Sequence, residues 1–269
     1  MDELSSASHD ALTGRVQGLE ARIPDSAWQT RCRGERELFL RHSNPGRTLK
    51  RMTGSSHILG VILAGGRARR LFQQSPDGGD KGFADLGGQP MLAHVIGRFQ
   101  PQVASLILNA NGDPARFARF GLRVVPDLDS TEQGPLAGLL AGMTWAETAD
   151  SAFSAIVTVT TDVPFLPLDL VAQLAVATRN GPAIAASADR RHPTIGLWPL
   201  SLKGAVQAAL SRHELSVNAF AEAHGAIAVS FPFSDGIGGE GHGVRVDPFF
   251  NANTPAELKE ARALLTRKT

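Results

Sequence analysis

The residues best suited to chemistry follow the first strongly apolar stretch of the chain. There, two glycines precede three arginines in the segment Leu63-Ala64-Gly65-Gly66-Arg67-Ala68-Arg69-Arg70. Glycines let a backbone approach a ligand closely, and main-chain amides together with arginine cations suit a polyphosphate. A glycine pair after a strand is also common as a simple tight turn. The segment is neither a Walker loop nor a Gly-x-Gly-x-x-Gly fingerprint, which argues against a P-loop kinase and a dinucleotide dehydrogenase.

Two charged residues further along the chain suit the same ligand. Lys81, in Asp80-Lys81-Gly82, is placed to reach a phosphate, although alone it would more often be a solvated loop lysine. Asp162 follows the apolar run of residues 155–160, and ligand crevices of open α/β sheets form at that end of the strands. A carboxylate there suits Mg²⁺, which takes one or two carboxylates together with phosphate oxygens and waters. Its alternative role is a helix cap or a turn residue before Pro164.

Other polar residues occupy comparable positions at the ends of predicted strands. Asn109 and Asn111 follow the second strand and Asp127 follows the third, although each alone is more often a turn former than a ligand. Gly134 either starts a helix or lets the chain pass beneath a bound base. The sequence has no His pair at metal-ligand spacing and no Gly-x-Ser-x-Gly elbow, so zinc and serine hydrolases have no support.

The elements that must position these residues alternate between short aliphatic strands and helices, which is typical of a mainly parallel sheet with helical crossovers. We predict strands at residues 58–64, 106–108, 122–125, 155–160, 183–187, 194–198 and 226–231. We predict helices at residues 90–99 and 135–148, one starting at Pro167, two between residues 201 and 224, and one at the C-terminus. That last helix has Thr254 and Glu257 at capping-box spacing. Residues 234–243, with five glycines, predict an exposed loop.

Composition and charge exclude several classes of protein. The 269 residues carry 27 basic and 26 acidic side chains, a formal net charge of +1, so no global field attracts a nucleic acid or an anionic membrane. The longest aliphatic run is far shorter than the roughly 20 residues that cross a bilayer. A single cysteine excludes an intramolecular disulfide and a cysteine metal cluster. With no export signal, we expect a cytoplasmic protein.

The chain is predicted to have two regions of different order. Residues 1–51 lack sustained apolar periodicity and fit neither a secretory signal nor a transit peptide, so we expect a poorly ordered N-terminal extension. Residues 52–269 are expected to form one domain. Met52 stands shortly before the first strand and is a candidate native start.

In their combination and order, these segments resemble the molybdenum cofactor guanylyltransferases, within the broader nucleotidyltransferase family. The resemblance runs from residue 58 to residue 265 and rests on Leu63-Ala64-Gly65-Gly66 with Arg70, Asp80-Lys81-Gly82, Asn109, Asp127, Gly134-Pro135-Leu136-Ala137-Gly138, Asp162-Val163-Pro164, His192-Pro193 and Asn251-Ala252-Asn253-Thr254-Pro255. It implies an α/β, Rossmann-like nucleotidyltransferase fold, with a mainly parallel central sheet flanked by helices on both faces. It also implies transfer of GMP from GTP to the terminal phosphate of molybdopterin, with release of pyrophosphate.

The resemblance also implies roles for individual residues. GTP is expected to contact Leu63, Ala64, Gly65, Gly66, Lys81, Asn109, Asp127 and Asp162. Asp162 is also expected to bind Mg²⁺, and Lys81, Asp162 and Arg70 to act in catalysis. Asn251 and Asn253 match a segment on the pterin side or the wall of the active site. The implied partners, besides GTP and the molybdopterin cofactor, are cofactor-delivery proteins or apo-molybdoenzymes.

The sequence departs from the family at two places. Leu71 and Phe72 follow Arg70 where the family usually has Met-Gly, and the loop to Lys81 is longer. Phe72 cannot adopt a positive φ as cheaply as glycine, so the backbone there must differ. The glycine-rich segment of residues 234–243 is also longer than the family leads us to expect.

Two alternatives to guanylyl transfer stay open at this stage, and a third is less favoured. One is a cytidylyltransferase acting on the same pterin or on another small phosphate, and another is a noncatalytic GTP-binding module. A sugar-phosphate nucleotidyltransferase is disfavoured, because Asp80-Lys81-Gly82 stands where that group generally has a lysine-proline pair. Any transferase function requires Lys81 and Asp162 to face the bend at Gly65 across a gap the size of a triphosphate.

Overall fold

The computed structural model describes residues 57–64, 81–129, 134–149, 153–178, 180–235 and 245–266. The predicted N-terminal extension and the site residues Gly65, Gly66 and Arg70 lie outside the described residues. The strands are β1 (Ile58–Leu63), β2 (Asp85–Leu86), β3 (Gln89–Pro90), β4 (Ser105–Asn109), β5 (Arg123–Val125), β6 (Ala155–Thr160), β7 (Ala183–Ser187), β8 (Arg190–Pro199), β9 (Ile227–Ser230), β10 (Ser234–Asp235) and β11 (Arg245–Val246). The helices are α1 (Met91–Phe99), α2 (Pro135–Thr148), α3 (Leu170–Ala177), α4 (Lys203–Ser211), α5 (Val217–Ala223) and α6 (Pro255–Thr266). Short 3-10 helices span Lys81–Phe83, Gln100–Gln102, Pro114–Phe120 and Leu200–Leu202.

Seven strands form the central sheet, in the order β5-β4-β1-β6-β8-β7-β9. Strand β1 pairs in parallel with β4 and β6, and the parallel pairs β4-β5 and β7-β9 extend the sheet on either side. Strand β8 runs antiparallel to both β6 and β7. The remaining six strands therefore end at one edge of the sheet, which is where open α/β sheets bind ligands.

Helices cover both faces of the sheet because the buried side chains of β1 alternate in direction. Ile58 and Ile62 face a core that includes residues of α1 and α3. Leu59, Val61 and Leu63 face the opposite core, which includes residues of α2, α4 and α5. This arrangement confirms the predicted fold class. None of the helices in the described ranges combines the length and apolarity needed to span a bilayer.

The C-terminal helix packs outside the main sheet. Leu258 and Ala261 of α6 are buried with Leu86 of the β2-β3 hairpin and with Met91, the first residue of α1. Ala252, just before the helix, belongs to the same small core. This apolar contact holds the start of α6 near the 3-10 helix that carries Lys81.

Two local predictions were wrong. The helix expected to begin at Pro167 begins instead at Leu170: the Pro167 carbonyl accepts from the Leu170 amide in a turn at 3.4 Å and from Gln102 Nε2 at 2.8 Å, and Asp169 is the N-cap residue. The loop expected over residues 234–243 starts with a strand, since Ser234 and Asp235 pair antiparallel with β11. The five glycines of that segment lie in residues 236–243, outside the described residues, and the two residues that precede them continue regular pairing.

Candidate active site

The carboxyl ends of neighbouring strands bring several candidate residues to one level. Leu63, at the end of β1, pairs in register with Asn109 of β4 and with Thr160 of β6. Asp162 follows β6 by two residues, and Asp127 follows β5 by two residues. The sheet register therefore gathers at one edge the polar residues that the sequence placed after separate strands.

Lys81 lies against two other predicted site residues, Asp162 and Asn253, and we refer to these three as the Lys81 cluster. Its Nζ atom is 3.7 Å from Asp162 Oδ2 and donates a hydrogen bond to Asn253 Oδ1. The side chains of Lys81 and Asp162 are only 19% and 13% exposed, so screening by water is reduced at this pair. The amide of Ala252 donates to the carbonyl of Asp162 at 3.2 Å, which ties the loop before α6 to the loop after β6.

Thr160 orients the Asp162 carboxylate within this cluster. Its hydroxyl donates to Asp162 Oδ1 at 2.7 Å, while Oδ2 is the oxygen nearest to Lys81. Each carboxylate oxygen thus has a partner and keeps further lone pairs for a ligand.

The first turn of α6 is capped as the sequence predicts. Thr254 Oγ1 accepts from the amide of Glu257 at 3.2 Å, and Glu257 Oε2 accepts from the amide of Thr254 at 2.8 Å. Glu257 Oε2 also accepts from the amide of Asn253 at 2.8 Å. Burial acts to raise the pKa of Glu257, but these hydrogen bonds and the nearby Lys81 charge outweigh it and lower the pKa below its ordinary value. The carboxylate is consequently ionised at neutral pH.

A second polar group forms on the other side of β1 from Asp162, and we call Asn109, Asn111 and Asp127 the Asp127 cluster. Asn109 Nδ2 donates to Asp127 Oδ1 at 2.9 Å, and Asn111 Nδ2 donates to Asp127 Oδ2 at 2.7 Å. Asn111 Oδ1 also accepts from the main-chain amide of Asp127 at 2.9 Å. Two carboxamides therefore fix both the carboxylate and the backbone of Asp127.

Gly138 explains the tight packing of α2 over this cluster. A Cβ atom at position 138 would overlap Asn109 Oδ1 and lie 3.0 Å from Asn109 Cγ and 2.8 Å from Leu63 Cδ2. Only glycine lets the first turn of α2 approach Asn109 this closely. Gly134, four residues earlier, has φ 69° and ψ −162°, a backbone conformation essentially restricted to glycine, and it marks the start of the helix.

Leu63 and Ala64 reach the site with their main chain. Both are buried, at 9% and 8% exposure, and Leu63 belongs to the core beneath α2. The amide of Ala64 donates to the carbonyl of Asn109 at 2.8 Å, so the chain leaves β1 alongside the Asp127 cluster. The segment that follows, with Gly65, Gly66 and Arg70, lies outside the described residues.

The structure treats Asn251 and Asn253 differently. Asn253 accepts a hydrogen bond from Lys81 and so joins the Lys81 cluster. The Oδ1 atom of Asn251 is buried and has no hydrogen-bond partner among the described residues. A buried acceptor in that state is costly unless a ligand or water satisfies it.

His192 lies behind this segment. Its ring packs 4.8 Å from the ring of Phe249, centroid to centroid, and its Nε2 is 2.8 Å from Ser187 Oγ. Burial lowers the pKa of His192, the Asp247 carboxylate opposes that shift, and the Arg190 charge reinforces it. The neutral ring thus supports the chain that leads to Asn251.

Asp162 is suited to share a magnesium ion with a nucleotide. In the part of the chain that the structure describes, no group of three or more His, Cys, Asp or Glu side chains could hold a metal unaided. Mg²⁺ does not require such a group, because it commonly takes one carboxylate and completes its shell with phosphate oxygens and waters. The partly exposed Asp162 carboxylate fits that donor set.

Sequence reasoning missed the roles of two residues at this site. Thr160 ends β6 two residues before Asp162, and the conformation of the turn after β6 brings its hydroxyl to the carboxylate. Glu257 is recognisable from the sequence as a helix cap, but its bond to the amide of Asn253 depends on the path of the chain before α6. Asn111 is suggested by its position after β4, and its two bonds to Asp127 set it apart from an ordinary turn residue.

Comparison with known proteins identifies the family of the chain. The family model for the MobA-like NTP transferase domain matches residues 60–227. A molybdenum cofactor guanylyltransferase from Mesorhizobium japonicum is 44% identical over 216 residues, which cover 79% of this chain and 98% of that protein. The protein of the same name from a Bradyrhizobium species is 44% identical over 211 residues, covering 77% of this chain and 92% of the relative.

Solved structures show the same fold at low sequence identity. Molybdopterin-guanine dinucleotide biosynthesis protein A from Archaeoglobus fulgidus superposes with a TM-score of 0.55 at 19% identity, covering 78% of this chain and 99% of that one. A nucleotidyl transferase from Methanothermobacter superposes with a TM-score of 0.58 at 15% identity, covering 79% and 99%. At these identities the likeness concerns the fold alone.

Proposed function

Because the chain belongs to the family of MobA-like NTP transferase domains, we propose that it transfers GMP from GTP to the terminal phosphate of molybdopterin. The products are molybdopterin guanine dinucleotide and pyrophosphate. The observation that carries this proposal is the approach of Lys81 to Asp162 at the carboxyl edge of the sheet. The names of the relatives, molybdenum cofactor guanylyltransferases, supply the substrates.

The reaction needs positioning and neutralisation of charge but no protein nucleophile. An oxygen of the acceptor's terminal phosphate forms a bond to the α-phosphorus of GTP, and the bond between the α-phosphorus and its bridging oxygen to the β-phosphate breaks. Pyrophosphate takes the electron pair of that bond. A bound Mg²⁺ supplies positive charge to the triphosphate, and Asp162 is the residue that would hold it. Lys81 neutralises developing charge on the same phosphates.

Lys81 gains a phosphate partner when the nucleotide binds. In the structure its ammonium group is paired with Asn253 and Asp162, so this partly buried charge has partners before any ligand binds. An ammonium group has three N–H donors, so a phosphate oxygen can bind Lys81 while Asn253 keeps its hydrogen bond and holds the ammonium in place.

The Asp127 cluster provides the other side of the nucleotide site. Asn109 and Asp127 are held rigidly before any ligand arrives, so little side-chain order remains to be imposed on binding. Gly65, Gly66 and Arg70 remain predicted triphosphate ligands, and Asn251 and Asn253 remain predicted residues of the pterin side or of the active-site wall.

The reaction consumes GTP, and we propose that it takes place in the cytoplasm, where GTP is available. Cofactor-delivery proteins or apo-molybdoenzymes are the proposed partners that supply the acceptor or receive the product.

Pyrophosphate release tests the proposal. The protein is incubated with Mg²⁺, molybdopterin and either GTP, CTP or ATP, with a control that lacks molybdopterin. We expect pyrophosphate only with GTP and molybdopterin together. Release with CTP instead would identify a cytidylyltransferase, and a rise in melting temperature with GTP but no pyrophosphate would identify a noncatalytic binder.

A further inference from the structure

The cap of the C-terminal helix is linked to the Lys81 cluster through a single residue. We propose that Glu257 is a positioning residue for nucleotidyl transfer: its carboxylate fixes Asn253, and Asn253 in turn directs the Lys81 ammonium toward the triphosphate. This inference rests on the proposed function, because it assumes that Lys81 acts on the triphosphate.

The hydrogen bonds of Glu257 exceed what capping requires. In a capping box, the acidic residue three positions after the cap bonds to the amide of the capping residue. Glu257 makes that bond to Thr254 at 2.8 Å, and the same oxygen accepts a second bond, also of 2.8 Å, from the amide of Asn253. The second bond lies outside the helix, and the residue it fixes is the one whose side chain contacts Lys81.

Asn253 is held from both directions along the chain. On its C-terminal side Glu257 binds its amide, and on its N-terminal side the amide of Ala252 donates to the carbonyl of Asp162 at 3.2 Å. With the backbone pinned at both points, the carboxamide of Asn253 has a defined position from which to accept the Lys81 ammonium. Removing the Glu257 carboxylate releases one of these two restraints.

Electrostatics support the same role. Glu257 is kept ionised by its hydrogen bonds at the N-terminus of α6, where the helix dipole also favours a negative charge. The Lys81 charge contributes to that ionisation, so the two groups interact across Asn253.

Glu257 can be replaced without undoing the fold. The attachment of α6 depends on Leu258 and Ala261, which are buried against Leu86 and Met91. Those apolar contacts do not involve the Glu257 carboxylate, so a variant at this position is expected to stay folded.

The test compares Glu257→Ala, Glu257→Gln and Thr254→Ala with the wild type. We expect Glu257→Ala to lower kcat about 10- to 100-fold, by analogy with the loss seen when residues that hydrogen-bond metal ligands are removed. Glu257→Gln keeps an oxygen that accepts the amide of Asn253, and it should restore most of that loss. Thr254→Ala is the matched control, because it removes the other half of the capping box and leaves the bond to Asn253 in place. It should lower the melting temperature while kcat stays at the wild-type value.

A second measurement does not depend on turnover. The rate at which an amine-reactive reagent modifies Lys81 is followed by mass spectrometry, with Lys203, paired with Glu147 elsewhere, as the internal reference. We expect Glu257→Ala to speed the modification of Lys81 about fivefold, the factor that one typical hydrogen bond represents, while Thr254→Ala leaves it unchanged.

The two measurements separate failure of this inference from failure of the proposed function. If wild type releases pyrophosphate but Glu257→Ala matches it in kcat and in Lys81 modification, the positioning role is overturned and the transferase stands. If Glu257→Ala and Thr254→Ala lose kcat equally, Glu257 acts only as a helix cap and the inference is also overturned. If wild type releases no pyrophosphate while Lys81 is modified faster in Glu257→Ala than in wild type and Thr254→Ala, the proposed function fails and the link between Glu257 and Lys81 is supported.

Discussion

The two polar groups at the carboxyl edge of the sheet are built in different ways. The residues of the Asp127 cluster lie at or just after the ends of β4 and β5, two strands joined by one crossover connection. They meet because these two strands are paired in register. In the Lys81 cluster, Lys81 and Asn253 are 172 residues apart and meet only because α6 packs beside the β2-β3 hairpin. The pairing of strands in the sheet positions the Asp127 cluster, whereas the packing of the C-terminal helix α6 positions the Lys81 cluster.

This difference predicts how each group responds to change. The Asp127 cluster pairs a carboxylate with neutral carboxamides and is complete without ligand, so it should serve binding. The Lys81 cluster holds opposite charges 3.7 Å apart at partial burial, and under the proposed function these charges face the triphosphate, so the cluster should serve the chemical step. Substitutions in the two groups should therefore affect different kinetic constants.

The largest effect is expected from breaking the Lys81 cluster. Lys81→Ala and Asp162→Ala each remove a charge needed beside the triphosphate, and kcat should fall about 10²- to 10³-fold, with the fold retained. Pyrophosphate release at saturating GTP and thermal unfolding measure the two properties. Lys203→Ala is the matched control, since it also breaks a lysine-carboxylate pair, at the opposite end of the sheet, and it should keep the wild-type kcat. A wild-type kcat in Lys81→Ala or in Asp162→Ala would show that the substituted residue does not act in the chemical step.

The next effect concerns the contact between α2 and the Asp127 cluster. Gly138→Ala forces a methyl group onto Asn109 and Leu63, and unfolding free energy should drop by about 1–3 kcal/mol as the core is overpacked. Gly204→Ala, in α4, meets no atom within 4 Å and should instead gain roughly 0.5–1 kcal/mol. Urea unfolding of both variants checks the contrast. Equal responses would mean that Gly138 is not a close-packing site.

A smaller and more selective effect is expected at Asn111. Asn111→Ala frees both the carboxylate and the backbone of Asp127, and the KM for GTP should rise about tenfold through the lost hydrogen bonds while kcat is preserved. Asp113→Ala serves as the control, because Asp113 caps the neighbouring 3-10 helix through the amide of Ala115 and does not touch Asp127. A fall in kcat with unchanged KM would contradict the assignment of nucleotide binding to the Asp127 cluster and of the chemical step to the Lys81 cluster.

The smallest effect is a pH dependence of stability from His192, which supports the segment leading to the Lys81 cluster. Burial lowers its pKa in the folded protein, so the fold favours the neutral ring. Its contribution is constant above the ordinary pKa of 6.5, and stability declines as the pH falls below that value, by at most about 1.4 kcal/mol per pH unit. Denaturant unfolding at several pH values should show a steeper decline in wild type than in His192→Gln. Identical profiles would show that His192 carries no such linkage.

The parts of the fold set by local patterns were predictable from the sequence. The aliphatic run at the start of the domain gave β1, and the spacing of Thr254 and Glu257 gave the cap of α6. The position of α3 was not predictable from Pro167 alone, because Pro167 lies in a turn before the helix and its carbonyl also accepts from Gln102, 65 residues earlier in the chain. The pairing of Ser234 and Asp235 with β11 was hidden by the glycines that follow them.

The candidate site was predictable to a similar degree. Asn109, Asp127 and Asp162 were identified by their positions after strands, because parallel strands place their ends at one edge. The resemblance to a family brought Lys81 and Asn253 into the same site, but no local pattern shows that Lys81 and Asn253 touch. Glu257 was not predicted as a site residue for the same reason. Its carboxylate reaches the amide of Asn253 only because of the path that the folded chain takes before α6.

The path of the α-phosphate of GTP tests the central claim most directly. Wild type and Asp162→Ala are incubated with Mg²⁺, molybdopterin and GTP labelled at the α-phosphorus, and the products are separated. The account predicts that wild type moves the label into a pterin dinucleotide and releases unlabelled pyrophosphate, and that Asp162→Ala does so at a small fraction of that rate. Label that remains in GTP, or that leaves as free GMP without joining the pterin, would contradict guanylyl transfer by this protein.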